Sequence, residues 1–572
     1  MRNNSKTRLK VFFVTTLIFC LIFNGLCSAD SIDEKINRGL VALPLGRGVV
    51  YVGWRLFNSD PNNVAFNLYR MEVSSKEGYK KINDQPIVNS TDYVDDTVLA
   101  GGAYRYKVAS VVNGKEQQRD NSAFVFAFPW NKPYISILMQ GDYRPMSVAI
   151  GDLDGDGRYD YVIKQPTFNT DPWREKGYWK RSLEPYKLEA YSCEGKFMWR
   201  YDMGWAIETG KWYSPYIVYD LDGDGCAEVY TKAGEGDPRE IDGHVVAGAE
   251  FLVKLDGKTG KVLAKTDWLS REGFESYNYF NRNFLTIAYL DGQKPSLIMQ
   301  RGTYNLIKTM ALDRNLEPIW YWEQPTESTD HHYRSLGSHG LISADVDGDG
   351  RDELVLGALV VDDNGTTLWA LKMGHPDVCY TADINADNPG LEIFYGFETA
   401  QEENGICLVD GRTGKLLWGH KEPTKHIHSQ GMAADVLAEY DGMEVYGGEQ
   451  KYAKRWLYSS KGQLIEFRTE GSLSPRAVWW DADCQKEVIF SKSIADWGGQ
   501  DIQPIEGQVL AIVDFLGDWR EEVITGLEGE LRIYSTTIGA SSRRTCLMQD
   551  RQYRLGVVAQ SMGYYYPPQL SK

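Results

Sequence analysis

Short segments in which apolar and polar residues alternate dominate residues 30–130. Alternation with a period of two is the pattern of a half-buried β-strand, and turns rich in Asn, Asp, Gly and Pro separate the segments. The pattern therefore predicts a small antiparallel β-sandwich in this region. Its clearest strands span residues 49–56, 64–71, 90–98 and 104–112.

Two features of this region resemble a fibronectin type III domain: the early Trp54 and the YRYKV strand that begins at Tyr104. The resemblance implies a fibronectin type III-like β-sandwich. Its expected role is that of a spacer, or of a brace against the larger body of the chain.

From residue 131 onwards the sequence becomes periodic. Acidic turns recur, each followed by an apolar, mostly β-branched run, and strand–turn–strand units with Gly and Trp lie between them, as in residues 252–268 and 406–419. Repeats of this length that each supply several short strands are typical of a β-propeller. The turns begin at Asp152, Asp220, Asp291, Asp345, Asp383, Asp435, Asp481 and Asp514.

We therefore predict an all-β protein, in which an eight-bladed β-propeller over residues 131–572 follows the sandwich; seven blades would fit if one turn were decorative. The first propeller strand is expected near residues 134–139. Residues 553–570 are expected to add a closing strand.

Three of the acidic turns carry Asp at positions one, three and five, glycines between them and a carboxylate at position nine. This spacing places hard oxygen ligands around one small volume, which suits Ca²⁺, whereas without a cation the carboxylates would repel one another. We expect these ions to brace the blades rather than to take part in catalysis. The expected ligands are Asp152, Asp154, Asp156 and Asp160; Asp220, Asp222, Asp224 and Glu228; and Asp345, Asp347, Asp349 and Glu353.

The first 29 residues follow the order of a secretory signal peptide. Basic residues 1–10 precede the apolar residues 11–23, and a small-residue cleavage site follows at residues 27–29. The apolar run is too short for a comfortable membrane span. We expect a secreted or periplasmic protein without a membrane span, whose mature chain starts near Asp30.

The charge of the chain argues against some classes of binding partner, and its cysteine content bears on disulfide formation. The formal net charge of −17 argues against binding to nucleic acid or to an anionic membrane surface. The six cysteines beyond the signal are scattered without CxxC spacing, so isolated core positions are expected, although a disulfide stays open for an exported chain. A monomer is the default expectation.

The histidines are few, and their grouping suggests chemistry. His339 directly precedes one acidic turn, His375 and Asp377 precede the next, and Glu398 follows one strand later. If these segments start successive blades, the four side chains converge near the propeller axis. Two imidazoles and two carboxylates suit a metal ion; the alternative is that the histidines are structural.

Several longer motifs, spread in order over nearly the whole chain after residue 37, resemble the rhamnogalacturonan lyases of polysaccharide lyase family 11. They include RGLVALPLGRGVVYVGWRL, VYDLDGDGCAEV, IAYLDGQKPSLIMQRG, ADVDGDGRDE, LGDWREEV and YRLGVVAQ. The resemblance implies a fibronectin-like module, a calcium-rich propeller of eight blades and a lyase activity on uronate-containing polysaccharide. It also implies that His339, His375, Asp377 and Glu398 hold a Ca²⁺ ion in the cleft.

The sequence departs from this family at several cleft positions. Tyr380 stands where the family has a second histidine, and Gln430 stands where it has an arginine implicated in the active site; the cleft lysine has no clear counterpart. Three arginines remain at family-like positions, with either a structural or a substrate-binding role: Arg282, Arg301 and Arg554.

The segment TKHIHSQG supplies candidate replacements. It brings Lys425, His426 and His428 just ahead of the position of the missing arginine, and residues 426 and 428 would face the same side of a strand. The two histidines are candidates for the base or for a clamp on the substrate carboxylate, and Tyr380 is a third candidate base. The alternative is that the histidines pack within the inner strands.

The leading hypothesis is a secreted lyase that cleaves a rhamnose–uronate linkage of an acidic polysaccharide by β-elimination, with rhamnogalacturonan I as the default substrate. Alternatives are an exo-acting lyase on rhamnose-capped glucuronate, a glycoside hydrolase and a non-catalytic carbohydrate-binding propeller. A hydrolase needs two carboxylates about 5–9 Å apart, and no spare acidic pair stands out. A binding module does not require the His-rich cleft.

Overall fold

The computed structural model describes residues 32, 34–119, 122–167, 181–207, 210, 213–324, 335–490, 492–562, 564 and 566–572. The predicted signal peptide, residues 1–29, lies outside the described residues. Within the described residues, no helix is both long and apolar enough to cross a membrane.

Eight strands form the predicted N-terminal β-sandwich, which is confirmed. One sheet has the strand order β1-β2-β5, and the other has the order β4-β3-β6-β7, with β8 also paired to β6. Trp54 and Phe66 are fully buried between them, with ring centroids 5.4 Å apart. The strands are β1 (Val41–Gly46), β2 (Val49–Gly53), β3 (Ala65–Glu72), β4 (Lys80–Lys81), β5 (Asp92–Asp95), β6 (Ala103–Val112), β7 (Lys115–Arg119) and β8 (Ala123–Phe126).

Eight four-stranded antiparallel sheets follow, so the predicted eight-bladed propeller is confirmed. Blades 1 to 4 comprise β10 (Ser147–Gly151), β11 (Asp160–Gln165), β12 (Lys187–Tyr191) and β13 (Phe197–Asp202); β14 (Tyr216–Tyr219), β15 (Glu228–Gly234), β16 (Glu250–Leu255) and β17 (Val262–Asp267); β18 (Asn283–Ala288), β19 (Ser296–Arg301), β20 (Lys308–Leu312) and β21 (Pro318–Glu323); and β22 (Gly337–Ala344), β23 (Glu353–Gly357), β24 (Leu359–Val361) and β25 (Thr367–Ala370).

The remaining blades complete the ring. Blades 5 to 8 comprise β26 (Pro376–Ala382), β27 (Glu392–Phe397), β28 (Ile406–Asp410) and β29 (Leu416–Gly419); β30 (Met432–Ala434), β31 (Glu444–Glu449), β32 (Lys454–Tyr458) and β33 (Leu464–Arg468); β34 (Arg476–Val478), β35 (Glu487–Phe490), β36 (Ser493–Ala495) and β37 (Asp501–Pro504); and β38 (Gln508–Val513), β39 (Glu522–Leu527), β40 (Glu530–Tyr534) and β9 (Tyr134–Leu138).

The outer strand of blade 8 comes from the start of the propeller, because β9 pairs antiparallel with β40. The register runs from Tyr134 opposite Tyr534 to Leu138 opposite Glu530. The first propeller strand thus lies where the sequence predicts it. This pairing closes the ring, because the last blade contains strands from both ends of the propeller.

The glutamates that recur after the acidic turns have a structural explanation. In seven blades, the carboxylate at the start of the second strand accepts a backbone N–H from the preceding turn, and this bond fixes the turn against the blade; in blades 1 and 2 the carboxylate belongs to Asp160 and Glu228, and in the other five to a further glutamate. The five glutamates are Glu353, Glu392, Glu444, Glu487 and Glu522, with N–O distances of 2.7 to 3.1 Å to Val346, Ile384, Val436, Trp480 and Phe515 respectively.

The prediction of a closing strand in residues 553–570 is wrong. Arg551–Ala559 forms a helix, α2, capped by Asp550, whose carboxylate accepts the backbone N–H of Tyr553 at 2.9 Å. The helix contacts the inner strands of blades 1, 2, 3, 4 and 8, so it fills the centre of the ring. The helix buries polar residues, among them Arg551, Gln552 and Arg554, beside its apolar ones, so its burial does not follow the hydrophobic pattern by which a helix is identified from sequence, which explains the error. The other short helices are α1 (Tyr277–Phe280) and the 3₁₀ turn Leu547–Gln549.

A buried polar cluster joins the sandwich to blade 8. The Arg520 guanidinium, which is fully buried, donates to Asp518 at 2.6 Å and to Tyr51 and Asp92 of the sandwich at 3.0 and 3.4 Å. Asp92 also accepts the backbone N–H of Ala540 at 2.6 Å. The sandwich is therefore braced against the propeller, as one of its two expected roles requires.

Arg520→Met should destabilise the protein strongly, because it leaves Asp92 and Asp518 buried beside one another without their cation. Removal of one partner from a buried ion pair costs about 3–5 kcal/mol. Thermal unfolding at a fixed scan rate measures the effect. Lys265→Met, which removes an exposed ion pair with Glu235, is the matched control and should leave the midpoint unchanged. Equal midpoints for the two variants would contradict this role.

Candidate metal and active site

Two neighbouring blades bring together the four residues that the sequence groups as a metal site. His339 lies in β22 of blade 4, His375 directly precedes β26 of blade 5, Asp377 lies in β26, and Glu398 directly follows β27. The backbone N–H of Glu398 donates to the carbonyl of His375 at 2.9 Å, which ties the two segments together.

Irregular strand pairing aims two of these side chains. The register between β22 and β23 shifts between Gly337 and Ile342, around His339, and the register between β26 and β27 shifts between Pro376 and Val378, at Asp377. A β-bulge re-aims the side chain that it carries and is frequent beside active sites. Here the bulges lie at two of the four grouped residues.

The donor atoms of His339, His375 and Asp377 all lie within 4.8 Å of one another, and Glu398 contacts His375. His375 Nε2 lies 3.3 Å from His339 Nε2, 3.7 Å from Asp377 Oδ1 and 3.4 Å from Glu398 Oε2. His339 Nε2 lies 3.5 Å from Asp377 Oδ1. These separations resemble the edges of a tetrahedron around an ion bound at about 2.1 Å.

The chemistry of this donor set fits a cation. His375 Nδ1 donates to the carbonyl of Gly337, so its Nε2 presents a lone pair to the other donor atoms. No hydrogen bond from the described residues reaches the buried Asp377 Oδ1. Burial and the neighbouring His375 hold the pKa of His339 well below its ordinary value, so this imidazole is neutral, as a metal ligand must be.

The second oxygen of Asp377 serves a different set of residues. Oδ2 lies 2.8 Å from His428 Nδ1 and accepts the backbone N–H of Ser429 at 2.9 Å. His426 Nε2 lies 3.1 Å from His428 Nδ1 and 3.3 Å from Glu398 Oε1. The two histidines are 43% and 36% exposed, whereas Asp377 is 1% exposed, so they form the open side of the site.

The contact with Asp377 decides the tautomer of His428. A carboxylate oxygen accepts, so His428 Nδ1 carries the proton and Nε2 keeps its lone pair in the neutral ring. The hydrogen bond that His428 donates to Asp377 raises the pKa of His428 against the opposing effect of burial. Ser429, which follows, adopts a φ of +72°, a conformation that costs a non-glycine residue energy and is enriched at functional sites.

The positions of the other cleft residues proposed from the sequence suit catalysis or substrate binding less well. Tyr380 is 2% exposed and its hydroxyl points to the carbonyl of Gly431 at 3.5 Å; burial raises its pKa, so it is a poor base. Lys425 is exposed, and its ammonium lies 4.9 Å from the ring centroid of Tyr452. Gln430 is buried, with its backbone N–H on the Ser474 hydroxyl.

The arginines at family-like positions have structural partners. Arg301 is fully buried and donates to Glu250 and to the carbonyl of Phe280, which leaves it no access to a substrate. Arg554 of α2 is likewise buried and donates to Glu34 at 2.7 Å. Arg282 is buried near Tyr304, with its guanidinium on the side-chain oxygen of Asn278.

The three acidic turns share one backbone geometry. The first aspartate of each turn accepts the backbone N–H groups of the residues three and five positions later. Both of these residues are glycines with positive φ in all three turns. The first aspartates are Asp152, Asp220 and Asp345, with N–O distances of 2.7 to 2.9 Å to the glycines.

The remaining carboxylates of these turns divide by position. Those at positions one, three and nine converge in the first two turns, where the carboxylates of Asp152, Asp154 and Asp160, and of Asp220, Asp222 and Glu228, lie within 4.8 Å of one another. In the third turn, with Asp347 at position three, Glu353 Oε1 is buried without a hydrogen bond among the described residues. Burial raises the pKa of Asp160 to about 7 and that of Glu353 to about 9, so a bound cation would restore their charged forms.

The carboxylates at position five turn away from this point of convergence. Each accepts the backbone N–H of the residue two positions later, at 2.8 to 2.9 Å. They belong to Asp156, Asp224 and Asp349.

Two tyrosines near the site escaped the sequence reasoning. The hydroxyl of Tyr304 lies 3.2 Å from His339 Nε2, and its ring lies 4.8 Å from that of His375. The backbone N–H of Tyr564 donates to the carbonyl of His339 at 3.1 Å. Tyr304 follows the RG pair of the IAYLDGQKPSLIMQRG motif, a signal that could have identified it, whereas nothing local marks Tyr564.

Two family profiles together match most of the chain. Residues 136–572 match "Rhamnogalacturonan lyase family 11, C-terminal domain", and residues 32–126 match "Rhamnogalacturonan I lyases beta-sheet domain". The boundary between the two matches falls between the sandwich and the propeller.

Full-length relatives give the same result. The rhamnogalacturonan endolyase YesW of Bacillus subtilis is 34% identical over 99% of this chain and 96% of its own, and the rhamnogalacturonan exolyase YesX of the same organism is 33% identical over 94% of each. The crystal structure of a rhamnogalacturonan lyase from Bacillus licheniformis superposes with a TM-score of 0.84 at 33% identity, covering 94% of this chain and 96% of that one. This chain therefore belongs to rhamnogalacturonan lyase family 11 and is a polysaccharide lyase.

Proposed function

We propose that this protein cleaves the backbone of rhamnogalacturonan I at the linkage from rhamnose to O4 of galacturonate, by β-elimination. The observation that carries the proposal is the shared carboxylate of Asp377: one oxygen lies with His339 and His375 in the candidate cation set and the other orients an accessible histidine. Similarity to an endolyase and an exolyase supports the substrate class and leaves both modes of attack open.

The obstacle in this reaction is charge. Removal of the C5 proton, alpha to the uronate carboxylate, places a second negative charge beside the first. A divalent cation held by His339, His375, Asp377 and Glu398 would neutralise the substrate carboxylate and stabilise the enolate-like transition state. His426 lies on the open side of this set, where it can donate to the same carboxylate.

We assign the role of base to His428. Its Nδ1–H is held by Asp377, so the Nε2 lone pair is free to accept the C5 proton. The electrons of the C5–H bond then form the C4=C5 double bond, and the C4–O4 bond breaks, so that rhamnose leaves with O4 and the electron pair of that bond, and O4 takes up a proton from water. Asp377 keeps the imidazole in the required tautomer and stabilises the charge that it gains, as the aspartate of a hydrolase triad does.

Elimination fits the site better than hydrolysis. A hydrolase needs two carboxyl groups free to act as acid and as base or nucleophile. Both carboxylates described here, Asp377 and Glu398, are instead engaged with histidines.

We further propose that the ions of the first and third acidic turns are Ca²⁺, because the converging donors are all oxygens. The cleft set mixes imidazole and carboxylate, a combination that also suits first-row transition metals, so its ion must be identified by measurement. The basic, apolar and small-residue order of residues 1–29 supports export, in keeping with a polymeric substrate.

Absorbance near 235 nm, where the 4,5-unsaturated uronate absorbs, tests the reaction directly. The protein should produce a rise on rhamnogalacturonan I that chelator abolishes and that added Ca²⁺ or Mn²⁺ restores, and the restoring ion identifies the cleft metal. Chain-length analysis of the products separates endo from exo attack. A flat trace on rhamnogalacturonan I with a rise on rhamnose-capped glucuronan would reassign the substrate, and a flat trace on both would reject elimination.

His375→Ala should remove one bound ion per chain and lower the rate about a thousandfold, because the charge stabilisation that a bound metal supplies is worth several kcal/mol. Elemental analysis and the 235 nm assay measure the two effects. His420→Gln is the control, because this buried histidine contacts Tyr458 and Trp456 rather than the grouped residues. Full activity of His375→Ala would refute the role of the cleft cation.

His428→Gln should lower the rate by roughly 10²–10⁴, the usual contribution of a general base, and should leave the metal content unchanged. His426→Gln, its neighbour on the same open side, should cost less, because His426 has no contact with Asp377 as short as that of His428. A larger loss in His426→Gln than in His428→Gln would transfer the role of base to His426.

A further inference from the structure

At one strand-pairing position of the repeat, a single blade carries a charged residue where the other blades carry an apolar one. In every blade, the residue two positions after the start of the second strand pairs with a residue of the third strand. In seven blades that third-strand residue is apolar: Ala190, Ala311, Val360, Leu408, Leu457, Ile494 and Ile533. In blade 2 it is Lys254, opposite Tyr230.

The Lys254 side chain reaches the point where the second acidic turn gathers its carboxylates. Its ammonium lies 2.9 Å from Asp222 Oδ2 and 2.6 Å from Glu228 Oε1. Only 10% of the side chain is exposed, as is 8% of the Glu228 side chain. This ion pair is therefore largely shielded from solvent, and the Coulomb attraction between its charges is stronger than in a surface pair.

The same contacts use up the donor atoms that a metal would need. Glu228 Oε1 is engaged by Lys254, and Glu228 Oε2 accepts the Tyr230 hydroxyl at 2.9 Å and the backbone N–H of Leu221. Asp222 Oδ1 is the one oxygen of this pair that no hydrogen bond from the described residues reaches. A single open oxygen does not chelate a cation, since Ca²⁺ takes six to eight ligands.

The third turn provides the contrast. There Glu353 sits at the position of Glu228, its Oε1 is buried without a hydrogen bond among the described residues, and the third-strand residue is Val360. Among the described residues no cation forms an ion pair with Asp347 or Glu353, whereas in the second turn Lys254 pairs with both of the matching carboxylates.

We propose that Lys254 takes the place of a metal ion in the second acidic turn, so that the turn of blade 2 is closed by an ammonium group within the protein. A divalent ion could enter only by displacing a cation that is anchored in β16, against like-charge repulsion. The proposal departs from the expectation of Ca²⁺ at Asp220, Asp222, Asp224 and Glu228, which considered the turn alone, whereas Lys254 lies 32 residues after Asp222.

The number of bound ions tests this proposal. The mature chain is equilibrated with Ca²⁺, freed of excess, and examined by native mass spectrometry and elemental analysis. Asp222→Asn should retain the wild-type number of ions, whereas Asp347→Asn, the matched change in the third turn, should lose one. Lys254→Met, which keeps the bulk of the side chain without its charge, should gain one. Loss of an ion in Asp222→Asn, or no gain in Lys254→Met, would overturn the proposal.

Hydrogen exchange gives a second readout that does not depend on activity. Chelation should increase exchange at residues 345–353 and leave residues 220–228 unchanged in the wild-type protein. In Lys254→Met, chelation should increase exchange at both turns. Equal loss of protection at both wild-type turns would mean that the second turn depends on metal.

Discussion

Closure of the ring is the constraint on which the rest of this structure depends. The pairing of β9 with β40 joins segments about 400 residues apart and fixes the angle at which all eight blades meet. Because the inner strands then surround one axis, their ends converge, and α2 fills the space between them. His339 and His375 come within contact distance because they belong to consecutive blades, whose inner strands β22 and β26 pack together.

Within that frame, the site depends on a buried carboxylate with two separate tasks. Burial alone would favour the neutral form of Asp377, but the contacts with His375 and His428 hold its pKa well below the ordinary value. The charged form can therefore face a cation with one oxygen and hold an imidazole with the other. A bulge in β26 and the left-handed backbone of Ser429 are the local costs of this arrangement, and such strain is typical of functional sites.

The sequence allowed the fold and the grouping of the four cleft residues to be predicted because both rest on local repeats. Turn spacing predicted the blades, and the positions of His339, His375, Asp377 and Glu398 before or after blade strands predicted their convergence. It did not reveal contacts that depend on register between distant segments. The contact of His428 with Asp377, the contact of Lys254 with Glu228 and the burial of Arg301 each follow from which residue opposes which. The helix α2 was missed because its burial does not follow its hydrophobic pattern.

The path of the chain after α2 has a consequence for the nascent chain during its synthesis. The backbone of Tyr564 bonds to His339, and the hydroxyl of Tyr566 donates to the carbonyl of Asp377, 189 positions earlier, at 2.8 Å. Synthesis runs from the N-terminus, so every blade exists before these tyrosines do. A nascent chain in which all the blades are complete still lacks the groups that support the candidate cation set by hydrogen bonds. The candidate cation set is therefore fully supported only once the final segment has been made, and this support does not increase with each added blade.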